Sequence, residues 1–326
     1  MKEIIHEFGI ETDWVEPMAK ALGGAVKGNH MLIPDTVHSG TRYVLSVNPD
    51  ITVMFADVLY HQDIHFKLRN TNSDFIGIYF NLTEGDSSHI TNNDTLAMGR
   101  WNYNLAIVES SVNLDYRVKA GTKTYNFCIF IRKTLLKEYL IGSGHLKKLI
   151  NRVFDQNQNT IFHYNIMSNN SLQYINEFRN SNIAPLTFDL FLSATVYNLL
   201  GEYLDELIKK DLVVSKLNDT DFTAIISSQE FLISKLKDSF PGIKTIAEHA
   251  FMSETKFKKL YKKITGLTPY EFYLNNKLEL ARDLLVSGNY NIGEIAHELQ
   301  FPTASNLTHL FKNYFGVLPK DYLTKL

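Results

Sequence analysis

A single cysteine, Cys128, stands in the whole sequence of 326 residues. One thiol can form no internal disulfide and supplies no cysteine-based zinc cluster. No apolar run reaches the roughly 18 residues that a membrane-spanning helix needs, and the charged first ten residues lack the apolar core of a secretory signal. From these absences we expect a soluble, cytoplasmic protein that enters no membrane, with Cys128 as an ordinary buried strand residue.

The sequence also lacks the basic excess that many nucleic-acid-binding proteins show, because its formal net charge is −2. The charge is unevenly distributed, however. Residues 240–326 hold 11 Lys and Arg against 8 Asp and Glu, and residues 254–263 hold five lysines against one glutamate. Because a local run of charge is more often a solvated helix face, charge alone leaves DNA binding as the less common of two interpretations.

Short apolar segments separated by turn residues fill the first 135 residues. Residues 51–59, 75–82 and 114–119 are such segments, with Asn, Gly and Asp clusters between them. From Tyr125 to Ile131 large apolar residues occupy alternate positions, which is the period of a β-strand. Several short strands with turns between them predict a sandwich or a barrel.

Beyond residue 135 the pattern becomes helical. Residues 134–140 and 146–154 are predicted as short helices, and the Asn-rich residues 155–170 as a loop. Pro185 then begins a long helix that runs to about Lys210, because the missing N–H of proline costs nothing in the first helical turn.

Apolar residues recur along this long helix in steps of three and four. Such a stripe fits a dimer interface of the coiled-coil type as well as a helix packed on its own domain. We predict a homodimer through this stripe and keep the second interpretation open. The residues assigned to dimerisation are Leu190, Tyr197, Leu200, Leu204 and Leu207.

The last third of the chain contains an internal repeat with a period of about fifty residues. Residues 243–273 form the first unit of the repeat and residues 291–323 the second. Two of the matched pairs are 49 residues apart and three are 50 apart, so the second unit has one extra residue in its turn region. The pairs are Ile246 with Ile295, Ala247 with Ala296, Leu260 with Leu310, Gly266 with Gly316 and Pro269 with Pro319.

Each unit of the repeat has the pattern of two short helices joined by a tight turn. In the first unit Ser253 is the expected N-cap of the second helix, and Gly266 suits its C-terminal end. In the second unit Asn291 and Glu294 are spaced as a capping box. The small Ala247 and Ala296 fit the close crossing of two helices.

A further helix is predicted to connect the two units. It begins at a capping box of Thr268 and Glu271 and ends near Ser287. About 19 residues at about 1.5 Å each span roughly 28 Å. Since one turn of DNA measures roughly 34 Å, one chain could place two helices in successive major-groove segments.

This region resembles the DNA-binding domain of the AraC/XylS family of transcription regulators. The resemblance covers about residues 222–326 and rests on the segments IAEHAFMSETKFKKLYKKITGLTPYEFY, KLELARDLL, NIGEIAHELQF and NLTHLFKNYFGVLPKDYL. Phe251 and Gln300 stand where the family usually has glycine in each helix–helix turn, and Lys277 stands where it usually has arginine. Because glycine adopts positive φ easily, the first two departures question the turn geometry.

By position, the resemblance implies that residues 253–263 and 303–313 are the two recognition helices. Asn can pair with adenine, Ser and Thr can bond bases or phosphate, and Lys more often grips phosphate than bases. A solvated helix face is the alternative for each residue. The residues implied to contact DNA are Thr255, Lys256, Lys258, Lys259, Thr303, Ser305, Asn306, Thr308 and His309.

The resemblance also implies a cupin-like β-barrel with appended helices in the N-terminal part, which senses a small molecule and dimerises. His61 and His65 are the nearest approach to a metal site, but no His-x-His followed by glutamate is present, so we predict no metal and no cofactor. Four aromatic residues are candidates for a pocket lining, with an ordinary core as the stronger interpretation. They are Trp14, Phe55, Tyr79 and Trp101.

The predicted fold class is therefore α+β, with a barrel over about residues 1–135, helices over about 136–210, a linker over 211–220 and an all-α domain over 221–326 with two helix-turn-helix units. The predicted function is a sequence-specific DNA-binding transcription regulator under effector control, not an enzyme. Its expected partners are double-stranded DNA, an effector of unknown identity and a second copy of the chain, with RNA polymerase as a further candidate.

Two alternatives stay open for the N-terminal part of the chain. In the first, this part only dimerises or binds a protein partner. In the second, it is a metal-dependent cupin enzyme fused to the DNA-binding domain, which the lack of a ligand cluster disfavours.

Overall fold

The computed structural model describes residues 1–90, 95–99, 104–141, 162–165, 167–209, 219–265 and 267–323. The chain divides into two compact units, Met1–Lys216 and Leu217–Leu326. The first unit contains the described strands together with helices, and the second is helical. Within the described parts, no helix is both long and apolar enough to cross a membrane.

The strands of the first unit are short, apart from three that run ten or eleven residues. In chain order they are β1 (Lys2–His6), β2 (Ala25–Lys27), β3 (His30–Leu32), β4 (His38–Asn48), β5 (Ile51–Tyr60), β6 (Ile64–Leu68), β7 (Phe75–Asn81), β8 (Ser87–Ile90), β9 (Thr95–Ala97), β10 (Leu105–Glu109), β11 (Leu114–Val118), β12 (Lys123–Arg132) and β13 (Phe162–Asn165).

These strands form two sheets. The smaller has the order β1-β6-β11-β8-β9, and the larger has the order β13-β10-β7-β12-β5-β4-β3-β2. All neighbouring pairs are antiparallel except β1 with β6. The rings of Tyr60 and Phe66 lie 6.2 Å apart and those of Phe8 and Phe130 4.7 Å apart, so the two sheets pack on each other. In the described residues they do not close into one continuous barrel.

The helices of the first unit that follow β12 cover the other face of the larger sheet. Phe55 on β5 pairs with Tyr43 on β4 and Phe127 on β12, and all three belong to one buried apolar cluster with the helices. Because successive strand residues point to opposite faces, the alternate residues of these strands turn toward the smaller sheet. The helices are α1 (Val15–Ala21), α2 (Lys133–Ile141), α3 (Asn169–Asn180), a 3-10 turn (Pro185–Thr187) and α4 (Phe188–Lys209).

The second unit consists of helices packed around one long central helix. Fully buried Ile246, Phe257 and Phe272 lie on three different helices of the first half, and Leu307 and Phe311 lie in the second half. The helices are α5 (Asp219–Ser234), α6 (Ile243–His249), α7 (Glu254–Thr265), α8 (Pro269–Val286), α9 (Ile292–Glu298), α10 (Ala304–Phe315) and α11 (Pro319–Leu323).

The α+β class, with a sheet-rich first unit and a helical second unit, is confirmed. The alternation from Tyr125 to Ile131 lies within β12, and Cys128 is buried there as a free thiol. The long helix begins with a 3-10 turn at Pro185. The predicted helix over 146–154, half of the predicted loop over 155–170 and most of the predicted linker over 211–220 lie outside the described residues. The described half of the predicted loop contains β13 and the start of α3, which the Asn-rich sequence did not predict.

Lys277 is a buried cation in the middle of α8. Its side chain is only 3% exposed, and its Nζ donates to the carbonyl oxygen of Asp238 (2.7 Å) and to the hydroxyl of Tyr273 (2.6 Å). Burial lowers the pKa of Lys277 to about 8. Lys277 therefore makes its hydrogen bonds to groups within the second unit.

The stability of the second unit is expected to rise with pH because of Lys277. The unfolded chain holds the proton up to a pKa of about 10.4, so from pH 8 upward the unfolded state binds more protons than the folded state. Relative to Lys277→Met, the unfolding free energy of the wild type should gain about 2 kcal/mol between pH 7.5 and pH 9.5. Denaturant unfolding of both proteins at each pH measures this difference, and a difference independent of pH would contradict the burial of the charge.

Candidate DNA interface

The first helix-turn-helix unit is built by α6 and α7. Helix α6 ends where Phe251 adopts a φ of 52°. The N–H of Met252 donates to the carbonyl oxygen of Ala247 (2.9 Å), which is the hydrogen-bond pattern of a Schellman motif. Ser253 then receives the N–H of Lys256 on its Oγ (3.4 Å) at the start of α7, as its assignment as an N-cap predicts.

The second unit repeats this geometry with α9 and α10. Gln300 has a φ of 48°, and the N–H of Phe301 donates to the carbonyl oxygen of Ala296 (2.8 Å). Thr303 caps α10 by accepting the N–H of Asn306 (3.0 Å). The capping boxes at Asn291 and Thr268 are both formed.

Phe251 and Gln300 are the two non-glycine residues at positive φ in the described residues. Both turns thus have the left-handed backbone conformation that glycine adopts most easily, although Phe251 and Gln300 occupy these positions. A side chain in this region is strained by about 1–2 kcal/mol, because its Cβ approaches the following carbonyl oxygen. The departures from the family pattern therefore change the strain in the turns and leave their geometry unchanged.

Phe251→Gly and Gln300→Gly are each expected to raise the unfolding free energy of the second unit by about 0.5–1 kcal/mol. Relief of strain outweighs the extra entropy of glycine in the unfolded chain, and Phe251 loses no burial because it is 97% exposed. Ala250→Gly is the control. Ala250 has a φ of −84°, so glycine relieves no strain there and should lower the unfolding free energy. Urea unfolding compares the variants, and a loss of stability in Phe251→Gly would contradict the strained turn.

The predicted DNA contacts of α7 are all exposed, but they point in different directions. At 100° per residue, Thr255 and Lys259 lie one turn apart on the face opposite buried Phe257. Lys256 and Lys258 lie on opposite flanks of the helix. Lys256 forms an ion pair with Asp221 (2.7 Å) and is turned toward α5. The face opposite the core therefore carries Thr255 and Lys259, and Lys262 continues it by one more turn.

Helix α10 presents the equivalent row one repeat later. Ser305, His309 and Lys312 are exposed on the face opposite Leu307, and they match the row on α7 at the offset of 50 residues. Asn306 is half-buried on one flank. Lys312 was not among the predicted contacts, although the steps of four and three that link it to Ser305 could have identified it.

Three predicted contacts of α10 already make hydrogen bonds within the helix. The hydroxyl of Thr303 accepts the capping N–H, and the hydroxyl of Thr308 donates to the carbonyl oxygen of Ala304 (2.9 Å). The Nε2 of His309 lies 3.0 Å from the amide nitrogen of Asn313. Thr303 and Thr308 thus have a structural use besides any contact with DNA.

The two recognition helices differ in charge. Helix α7 holds five lysines and one glutamate, whereas α10 holds Lys312 as its one lysine and no acidic residue. Lysine mainly contacts phosphate, while Ser, Asn and His also read base edges. The first helix therefore carries mainly groups that bind DNA phosphates, and the second carries mainly groups that can also bind base edges.

Helix α8 connects both units of the repeat. Its 18 residues span roughly 27 Å at 1.5 Å each. The buried Arg282 pairs with Glu279 (2.6 Å) on the same helix and also contacts Asp283 (2.8 Å). Because α8 is buried along much of its length, it packs against helices of both units of the repeat.

The predicted dimer stripe on α4 does not lie on one exposed face. Leu190 and Tyr197 are 71% and 46% exposed, whereas Leu200 is 3% exposed and belongs to the core of its own unit. Leu204 is half-buried against the same core, and the side chain of Leu207 lies outside the described residues. Leu200 was predicted as a dimer contact, but it packs in the core of its own unit, because this side of α4 faces the larger sheet.

The remaining candidates of the first unit do not form one site. Phe55 faces the helices, whereas Trp14 packs against Phe8 and Phe130 on the other side of the larger sheet. Trp101 lies outside the described residues. His61 contacts the hydroxyl of Ser39 (2.8 Å), while His65 lies 3.4 Å from both Glu3 and Asp115, so the two histidines have separate surroundings.

Comparison with known proteins gives matches to the C-terminal region above all. Residues 246–325 match the model of a helix-turn-helix domain of the AraC type. The probable transcriptional regulator LumQ of Photobacterium leiognathi is 22% identical over 41% of this chain and 52% of its own length. The Msm operon regulatory protein of Streptococcus mutans is 24% identical over 62% of this chain and 64% of its own length. The chain thus spans about half to two thirds of the length of these relatives.

One solved structure similar to the C-terminal region is the DNA-binding domain of AdpA in complex with a target DNA. It is 22% identical and has a TM-score of 0.30, and the match covers 31% of this chain and 91% of that domain.

Proposed function

Because its C-terminal unit carries an AraC-type helix-turn-helix domain, we propose that the protein is a sequence-specific transcription regulator that binds double-stranded DNA. The observation that carries this proposal is the repeated outer row of the two recognition helices. Thr255, Lys259 and Lys262 on α7 correspond to Ser305, His309 and Lys312 on α10, and α8, which is roughly 27 Å long, connects the two units of the repeat.

In this proposal the two recognition helices have different roles. Helix α7 supplies affinity through its lysines, which release counterions from the phosphates. Helix α10 supplies specificity through Ser305, Asn306 and His309, of which Asn306 has the bidentate amide that suits adenine. A single chain would then recognise two adjacent major-groove segments, the second with the greater base preference.

The first unit is proposed to sense a small molecule and to form the homodimer. The exposed apolar residues on and before α4 support a dimer surface, namely Leu186, Leu190, Phe191 and Tyr197. An effector would act by binding more tightly to one arrangement of the dimer than to another. A transcription regulator works where the DNA is, so a cytoplasmic location belongs to the proposal. An N-terminal unit that only dimerises or binds a protein is the competing form of it.

Selection of duplex DNA from a random pool by the full-length protein tests the proposal. The expected result is one preferred sequence with two blocks roughly one helical turn apart. Asn306→Ala should change the preferred base at one position of the second block, with about 1–3 kcal/mol of lost discrimination. Binding of all sequences alike by the folded protein would overturn the assignment.

Asn313→Ala is the matched control for this measurement. Asn313 lies on the same flank as Asn306, two turns further from the N-terminus of the recognition helix, and it is exposed. Its amide nitrogen lies 3.0 Å from the Nε2 of His309, so its substitution should leave the preferred base at the position of Asn306 unchanged and affect only the position that His309 contacts. An identical change of preference in both variants would remove the specific role of Asn306.

A further inference from the structure

The space between the two sheets of the first unit contains buried polar groups, unlike the apolar face that packs on the helices. His38 and Arg42 on β4 are 1% and 3% exposed and share one face with Tyr60 on β5. The alternation of the strands turns this face toward the smaller sheet, where His6 on β1 is 4% exposed. A simple sheet-on-sheet core would be filled with apolar side chains instead.

Arg42 is the charged centre of this group and has few protein partners. Its guanidinium carries five N–H donors. Among the described residues it donates to the hydroxyl of Tyr60 (2.8 Å) and makes a long contact with the sulfur of Met54 (3.7 Å). Its Nε has no partner, and no carboxylate of the described residues lies within ion-pair distance. A buried charge without a counter-ion strongly destabilises a fold.

The surroundings of Arg42 add hydrogen-bond groups but no negative charge. Burial and, to a lesser extent, the positive charge of Arg42 lower the pKa of both His6 and His38 to about 3. The two imidazoles are therefore neutral at physiological pH. Neither ring nitrogen of His38 has a hydrogen-bond partner, so His38 is a second polar group without a partner beside Arg42.

The chemistry of this group selects the kind of anion that it would bind. Arg69, a neighbouring cation, is already paired with Asp115, so Arg42 offers one net positive charge. The planar guanidinium of Arg42 can donate two parallel hydrogen bonds to the two oxygens of one carboxylate. The surroundings include Met54, which contacts Arg42, and Phe66, which packs against Tyr60, and these side chains favour an apolar body over a second charged group.

We propose that Arg42 anchors a buried ligand site between the two sheets, which binds a small monocarboxylate with an apolar body. His38 and Tyr60 supply further hydrogen bonds to the carboxylate. The ligand supplies the counter-ion that the described residues lack. The binding site itself does not depend on the proposed function; only the role of this ligand as the effector rests on it.

The test uses the full-length protein with hexanoate and phenylacetate as probes. Hexanamide and phenylacetamide are the neutral controls of the same shape, and inorganic phosphate is the control for a bare anion. At least one carboxylate at 100 times its dissociation constant should raise the melting temperature of the first unit by about 3 °C or more. The amides and phosphate should not, and no rise with either carboxylate overturns the proposal.

Arg42→Met and Arg42→Gln should abolish the rise with carboxylate. Arg42→Met should also melt at or above the temperature of the unliganded wild type, because an apolar residue replaces a buried unpaired charge. If Arg42→Met fails to fold, Arg42→Gln retains a donor for Tyr60 and serves alone. A rise that persists in either folded variant, or an Arg42→Met that melts lower than the unliganded wild type, overturns the site.

Arg132→Gln is the matched control, since Arg132 contacts Asp50, Asp74 and Glu11 and lacks no counter-ion. It should lower the melting temperature and keep the carboxylate response. These measurements contain no DNA, so they are independent of the proposed function. In a second arm, a carboxylate that changes the affinity of the wild type for its selected DNA, but not that of Arg42→Gln, supports the role as effector. An unchanged affinity leaves the site in place and overturns that role.

Discussion

The double variant Lys258→Glu with Lys259→Glu is expected to lose about 100-fold or more in affinity for its selected DNA at moderate salt. Both lysines are exposed on α7 and make no ion pair in the described residues. Each lysine that contacts phosphate releases counterions, so the slope of log K against log salt should fall by about two. Fluorescence anisotropy over a series of salt concentrations measures both quantities.

Lys27→Glu with Lys20→Glu is the control for this pair of substitutions. It changes the net charge by the same amount on the first unit, and both lysines are exposed there. If the loss came from the net charge of the whole protein, the control would lose as much as the variant. Equal losses would therefore remove α7 from the DNA interface.

Leu200→Glu is expected to unfold the first unit. Leu200 is 3% exposed within the cluster that joins α4 to the larger sheet. An ionised carboxylate without a partner in such a core costs several kcal/mol, which is comparable to the whole stability of about 5–15 kcal/mol. Near-UV circular dichroism and thermal melting should show the loss, and a variant that melts like the wild type would place Leu200 on the surface.

Leu190→Glu with Tyr197→Glu is the matched variant on the exposed side of the same helix. Surface substitutions usually change stability by less than about 0.5 kcal/mol, so this protein should fold. If the homodimer uses α4, sedimentation should find the wild type dimeric and this variant monomeric. A folded variant that remains dimeric would remove this helix from the dimer interface.

The helix-turn-helix units were the part of the molecule most open to prediction from sequence. Their signals are local, because an N-cap such as Thr303 bonds an N–H only three residues away. The capping boxes at Thr268 and Asn291 follow the same rule. A repeat of about fifty residues then identifies the same fold twice, and each copy supports the interpretation of the other.

The faces of the helices were less open to prediction. The stripe on α4 follows a regular pattern of threes and fours, yet Leu190 is exposed and Leu200 is buried. A helix that is apolar around most of its circumference has more than one candidate face, and the partner that covers it comes from distant strands. The same limit applies to Lys256, whose ion pair with Asp221 joins residues 35 positions apart.

The sequence by itself determined that a strand-rich region is followed by helices, which residues cap the helices of the repeat, and the kind of domain at the C-terminus, because these depend on hydrogen bonds and periodicity within a few residues. Only the tertiary structure decided that Phe251 and Gln300 keep a left-handed turn, that Leu200 belongs to the core, and that Arg42 is buried without a counter-ion. The burial of Leu200 and of Arg42 depends on which distant surfaces pack together. Burial and charge pairing are set there, and no local pattern encodes them.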